Sequence, residues 1–213
     1  MRACFNIKWH FLGLLMLAVL AGCADSQPKK ISGQPESSKT RNKEGKVSTS
    51  VRADFSAAMA AIKAEEYDKA IKLLNKVIAQ MSSNQMSNNP ASNSAISPVP
   101  YINLALVYKK TQNLALAEEN LKQAIKIDPD HPVANNEYAL LYRNTGRFAE
   151  AKQVYEKLLE KHPNFLLARK NLGILCDLYM KDYQCALKHY VIYSGARPDD
   201  ETVKLWIADL KGK

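Results

Sequence analysis

The side chains able to do chemistry are few and scattered. Cysteine occurs as Cys4, Cys23, Cys176 and Cys185, and histidine as His10, His131, His162 and His189. Nucleophilic catalysis needs a base within hydrogen-bond reach of the nucleophile. His131 and His162 each precede a proline, Pro132 and Pro163, at the edge of a helical pattern, and His189 lies inside one. No histidine stands at metal-ligand spacing from a cysteine or carboxylate, and the eight glycines form no phosphate-binding loop. The pattern argues against an enzyme, a metal site or an organic cofactor.

Cys23 sits in a more telling context. Arg2 and Lys8 precede an apolar run from Phe11 to Leu20, closed by Ala21 and Gly22. That is the pattern of an export signal peptide over residues 1–22, and the run is shorter than the ~20 residues of a membrane-spanning helix. Leu20-Ala21-Gly22-Cys23 resembles the lipobox of bacterial lipoproteins. The resemblance implies diacylglyceryl attachment at the Cys23 sulfur, cleavage before Cys23, and acylation of the new amine, for instance by palmitate. More than one acyl chain gives stable anchoring where a single chain is marginal. Ala24 follows Cys23, and the aspartate comes one place later, at Asp25. By the family's sorting rule this implies the outer membrane of a Gram-negative cell, with the rest of the chain in the periplasm.

The elements that position this anchor come next. Residues 24–50 are Ser, Lys, Gln, Pro, Gly and Thr with almost no large apolar side chain. Such a stretch buries too little surface to offset its ordering entropy. Residues 23–50 are therefore expected to be a disordered tether, reaching tens of ångströms by the ~5–6 Å × √n relation. Residues 24–53 hold seven basic and three acidic side chains, a large share of the net charge of +9. The rest of the chain shows no basic stripe of the kind a nucleic-acid-binding face carries, so no nucleic-acid partner is expected. A basic tether suits an anionic membrane surface; an ordinary soluble linker fits the same composition.

From residue 101 the chain repeats itself. Tyr101, Leu104, Ala105, Tyr108, Leu114, Ala117, Leu121, Ala124 and Pro129 recur as Asn135, Tyr138, Ala139, Tyr142, Phe148, Ala151, Tyr155, Leu158 and Pro163, each 34 residues on. The order and period resemble the tetratricopeptide repeat, a helix–turn–helix unit. Ala58 and Ala70 stand 47 residues before Ala105 and Ala117, one period plus a 13-residue insertion. The insertion lies in a Ser/Asn/Pro-rich stretch, residues 82–98, read as a loop. Leu172, Gly173 and Cys176 continue the register; Tyr183, Ala186, Tyr190 and Pro198 lie 35 past Phe148, Ala151, Tyr155 and Pro163. One residue has been added, placed by the pattern in the turn around Leu178–Asp182. The expected organisation is a degenerate repeat over 51–81, the loop over 82–98, repeats over 99–130, 131–164 and 165–198, and a capping helix over 199–213 whose apolar face is Val203, Trp206, Ile207 and Leu210.

The resemblance implies an all-α fold, a right-handed superhelix of about four repeats with a concave face lined by the first helix of each. The small residues allow close helix contact and are read as core. The family's inward-facing positions fall on Phe55, Met59 and Ile62; Ile102, Leu106 and Lys109; Asn136, Leu140 and Arg143; and Lys170, Ile174 and Asp177. That surface would be apolar along its middle with basic residues on one edge, suited to an extended or helical peptide of apolar and acidic character, although several of these side chains could equally pack between helices. The Lys/Asn clamp of the chaperone-binding branch is absent, because Ile102, Leu106, Asn136 and Leu140 occupy its places. Cys176 and Cys185 flank the turn of the last repeat. Antiparallel helices could bring them into a disulfide in an oxidising compartment, or leave two separate buried thiols. The combination resembles repeat lipoproteins that act as pilotins or assembly factors for type IV pili and secretins. The expected partner is a protein or peptide of the cell envelope.

Overall fold

A computed structural model describes residues 38–86 and 97–212. The described residues form α1 (Ser38–Lys63), α2 (Tyr67–Met86), α3 (Val99–Lys110), α4 (Leu114–Ile127), α5 (Pro132–Asn144), α6 (Phe148–Lys161), α7 (Leu166–Ile174), a π-helical turn (Leu175–Met180), α8 (Tyr183–Ala196) and α9 (Glu201–Lys211). There is no strand among them. Turns of about three residues leave the two helices of each pair antiparallel, and every helix packs on the next along the chain. The pairs α1/α2, α3/α4, α5/α6 and α7/α8 are the four repeats; below, helix A and helix B are the first and second of each pair.

The small residues do what their size allows. Ala58, Ala105, Ala139, Ala70, Ala117, Ala151 and Ala186 are all fully buried, so helices A and B approach with only a methyl group between them. Tyr155 and Tyr190 fill the larger spaces, and Leu74, Leu121 and Leu172 join them at 0 % exposure. Val203 and Leu210 of α9 bury against the last repeat, and Trp206 meets the Tyr190 ring at 5.3 Å. The cover expected of the closing helix is thus in place.

The turns repeat as well. Glu65, Gln112, Gly146 and Lys181 all adopt left-handed φ, at 59°, 60°, 77° and 56°. They sit at matching places of the four repeats, yet only one is the glycine this conformation favours. Each of the first three turns closes with a bond spanning five residues: Glu66 N to Ala61 O, Asn113 N to Tyr108 O, and Arg147 N to Tyr142 O. In the fourth repeat Asp182 N reaches back six residues, to Cys176 O. The added residue is therefore not in the turn, as the pattern placed it. It is absorbed in the helix before the turn, where the wider π ring accepts one more residue.

Two expected boundaries also differ. α1 starts at Ser38, so residues 38–50, read as tether, are helical. Extending a formed helix costs far less than nucleating one, and a polar stretch can propagate a helix it would not begin. α2 runs on to Met86, into the expected loop. Ser82 and Ser83 bond back to the Ile78 and Gln80 carbonyls, at 3.0 and 2.9 Å, which suits the last turn of a helix. The signal peptide, Cys23 and most of the loop lie outside the described residues.

Candidate protein-binding face

The twelve residues assigned to the inner face separate into three rows. Met59, Leu106, Leu140 and Ile174 form a half-buried apolar row, the last three spaced by one period. Only this row has the character expected of an apolar strip. In the second row Phe55 and Lys170 are half-buried, but Ile102 and Asn136 are closed off, at 4 % and 1 % exposure. These two pack between helices and leave the candidate set. Ile102 clusters with Ala124 and Ala134. The Asn136 side-chain oxygen accepts from the Asn171 amide at 3.0 Å, and its own amide donates to Glu137 at 3.2 Å. This position is thus an inter-repeat hydrogen bond, joining α5 to α7.

The third row is Ile62, Lys109, Arg143 and Asp177, all half-buried. The basic edge expected from sequence is largely neutralised. Lys109 is paired with Glu137 in a shielded contact. Lys170 pairs with Asp200 at 2.7 Å and lies over the Tyr193 and Trp206 rings, so it holds the capping helix. That ion pair, ahead of the Tyr193 hydroxyl bond, keeps the Asp200 carboxyl below the usual range. Asp177 accepts from the Tyr190 hydroxyl at 3.4 Å. Arg143 rests over the Tyr179 ring at 5.7 Å, with Nε and Nη1 buried and donating to nothing among the described residues.

A strong inter-repeat contact was not visible from the repeat pattern. Arg147 grips Glu118 with a two-pronged contact, 3.1 and 2.6 Å, tying α6 to α4. The Arg147 bond is the main reason the Glu118 carboxyl falls to about 2. Arg147 also lies 4.1 Å over the Tyr142 ring. The 29-residue separation of the pair matches no repeat interval, so a period search passes over it.

The histidines serve the helices. His131 Nδ1 accepts from Ala134 N and so caps α5, and His162 Nε2 donates to the Asp130 carbonyl at 2.7 Å. His189 is 8 % exposed, and its Nδ1 has no partner among the described residues. Cys176 and Cys185 are disulfide-bonded in the structure, with Cα atoms 5.9 Å apart. Asp182 lies with the two sulfurs, all three ligand atoms within 4.8 Å. Its carboxylate caps Cys185 N and pairs with Lys152, so with the sulfurs joined this trio offers nothing to a metal.

Residues 110–171 match a family model described as tetratricopeptide repeat. Among curated proteins the chain is 38 % identical over 60 residues to a probable UDP-N-acetylglucosamine–peptide N-acetylglucosaminyltransferase SPINDLY of Solanum lycopersicum, covering 28 % of this chain and 6 % of that one. It is 30 % identical over 105 residues to a peroxisomal targeting signal receptor of Candida albicans, covering 48 % of this chain and 17 % of that one. This chain thus spans a small fraction of either relative. Among solved structures, one described as the functional characterization of Pseudomonas aeruginosa pilF aligns with TM-score 0.63 and 19 % identity over 77 % of this chain and 68 % of that one. MamA MSR-1 aligns with TM-score 0.55 and 21 % identity over 75 % and 84 %. A tetratricopeptide repeat protein from Parabacteroides merdae aligns with TM-score 0.62 and 16 % identity over 76 % and 59 %. The fold is the tetratricopeptide-repeat superhelix.

Proposed function

We propose that this protein is a lipid-anchored interaction scaffold of the bacterial cell envelope, holding a peptide of a partner protein while an envelope machine of the pilus or secretin kind assembles. The observation that carries the binding role is that Met59, Leu106, Leu140 and Ile174, at matching places on the first helix of each repeat, are all half-buried rather than closed off. Four side chains in line, on helices held rigid by buried alanines, offer an extended or helical segment a track of anchors. The location rests on Leu20-Ala21-Gly22-Cys23, which resembles a lipobox and implies acylation at Cys23 and an outer-membrane address facing the periplasm. No described helix is long and apolar enough to cross a membrane; in this reading the acyl chains hold the protein.

The location is tested by Cys23→Ser. The wild type should label with palmitate and sediment with outer membranes, and the variant should do neither; an unlabelled wild type would sink the anchor. The partner is tested by in-cell crosslinking through the repeat domain, with gene deletion beside it. Depleted or mislocalised secretin multimers support the assembly role. Normal multimers with altered cell shape would favour an adaptor for peptidoglycan synthases or hydrolases, and loss of energised uptake would favour an accessory of an outer-membrane transporter.

A further inference from the structure

We propose that the rim where α5 ends, α6 begins and the π-turn protrudes is a separate anchoring point, which takes an acidic side chain adjoining an apolar one on a protein partner. It rests on the reading of the inner face as a peptide surface only in sharing Arg143 with it. Of the three cations on that face, Lys109 and Lys170 are spent on Glu137 and Asp200. Arg143 is the cation whose buried Nε and Nη1 donate to nothing among the described residues. The nearby carboxylates are engaged elsewhere: Glu137 by Lys109 and Asn136, and Asp177 by Tyr190. The Tyr155 hydroxyl, close enough for the Arg143 charge to act on it, is also buried without a partner among the described residues. A half-buried guanidinium with two shielded, unused donors gains from a carboxylate that meets it with a two-pronged bond. Turning Arg143 toward that carboxylate breaks no hydrogen bond at either nitrogen.

Apolar surface adjoins it. Leu178 and Tyr179 of the π-turn are 56 % and 45 % exposed. The Tyr179 ring packs at 5.0 Å on Phe148, the first residue of α6, and carries the Arg143 guanidinium on its face. Among the described residues only the fourth repeat has the added residue that forms the π-turn, so this rim has no copy in the other described repeats. The Cys176–Cys185 bond ties the π-turn to α8 and holds Leu178 and Tyr179 where they are. Tyrosine and arginine are the residues in which interface energy concentrates. An unpaired arginine set in an apolar rim selects a carboxylate with an apolar neighbour over either feature alone.

The test selects a displayed library of random dodecapeptides on the full chain in detergent. The enriched peptides should carry Asp or Glu beside an apolar residue. Their affinity should fall by about tenfold for Arg143→Gln, which removes a charge-assisted contact, and by a similar factor for Tyr179→Ala, which removes the apolar platform beside it. Replacing the peptide's acid by its amide should cause the same loss, with no further loss on Arg143→Gln. Far-UV helicity and melting establish that each variant is folded, and Arg143→Lys should recover part of the affinity. Enriched peptides lacking an acid, or binding unchanged in both variants, would overturn the proposal. If Leu106→Glu and Leu140→Glu abolish binding while Arg143→Gln and Tyr179→Ala do not, the apolar row stands and the rim falls. The converse upholds the rim and sinks the row.

Discussion

Gly173 stands where the earlier repeats have Ala105 and Ala139, and the reason is its neighbour. A Cβ built there would lie 2.5 Å from both Cδ1 and Cε1 of Tyr190. That ring is itself fixed, 1 % exposed and packed on Trp206. Gly173→Ala, a consensus-restoring change by the repeat pattern, should therefore destabilise by about 1–3 kcal/mol, read as a lower urea midpoint at unchanged slope. His189 supplies a second case. Burial first, and then the charges of Arg169, Lys188 and Lys152, push it down to about 4. Between about pH 6.5 and 4 the unfolded chain takes up a proton here that the folded chain refuses. Stability is thus complete above that window and falls as pH drops through it, by up to about 3 kcal/mol. His189→Phe should flatten the urea midpoint against pH over this range alone. Glu118 titrates lower still, and its contribution is lost as pH falls from its ordinary range toward about 2.

At the level of elements, helix A of the fourth repeat is unlike the others. Its π-turn holds one more residue, its terminal bond spans six residues, and a disulfide crosses to the start of α8. Closing a loop over a separation of 9 residues removes unfolded-chain entropy worth about 2–3 kcal/mol. The double variant Cys176→Ala/Cys185→Ala, or the reduced wild type, should lose about that much in chemical denaturation. Equal stability of oxidised and reduced protein would show that the bond adds nothing. The turn between helices A and B carries a left-handed residue in every repeat, but the sequence marks it with glycine once, at Gly146. The other three are held by the terminal bonds of the helix, which a sequence pattern does not display.

As a whole, the array gains stability from neighbour contacts, as stacked repeats do. The Glu118–Arg147 fork and the Asn136–Asn171 bond join consecutive repeats through polar groups. The Lys170–Asp200 pair, the Tyr193–Asp200 bond and the Tyr190–Trp206 contact fasten α9 to the last one. Ending the chain after Pro198 would uncover Tyr190 and Tyr193 and leave Lys170 without its carboxylate. Such a truncation should melt lower than loss of one helix alone accounts for, and should self-associate in sedimentation, because a stack without its cap presents an apolar end.

The period of 34, the alanine positions, the closing helix and the lipobox-like tetrad are all matters of residue type and spacing, and these the chain declares by itself. Their physics is local: a small residue at a fixed place in each helix admits a neighbouring helix, and an apolar face seeks cover. The one-residue surplus in the last repeat was countable, but its place was not, because a turn and a π ring absorb a residue equally well on paper. Only tertiary contacts decided between them. The same holds for the inner face. By repeat position alone Ile102, Asn136, Lys109 and Lys170 stand beside Leu106, Leu140 and Arg143 as equals. Packing closed the first two, and partners from neighbouring repeats neutralised the two lysines. What remains is the half-buried apolar row, with Phe55 and Ile62 beside it, and one arginine without an ion-pair partner among the described residues, because exposure and ion pairing are set by which helix lies opposite.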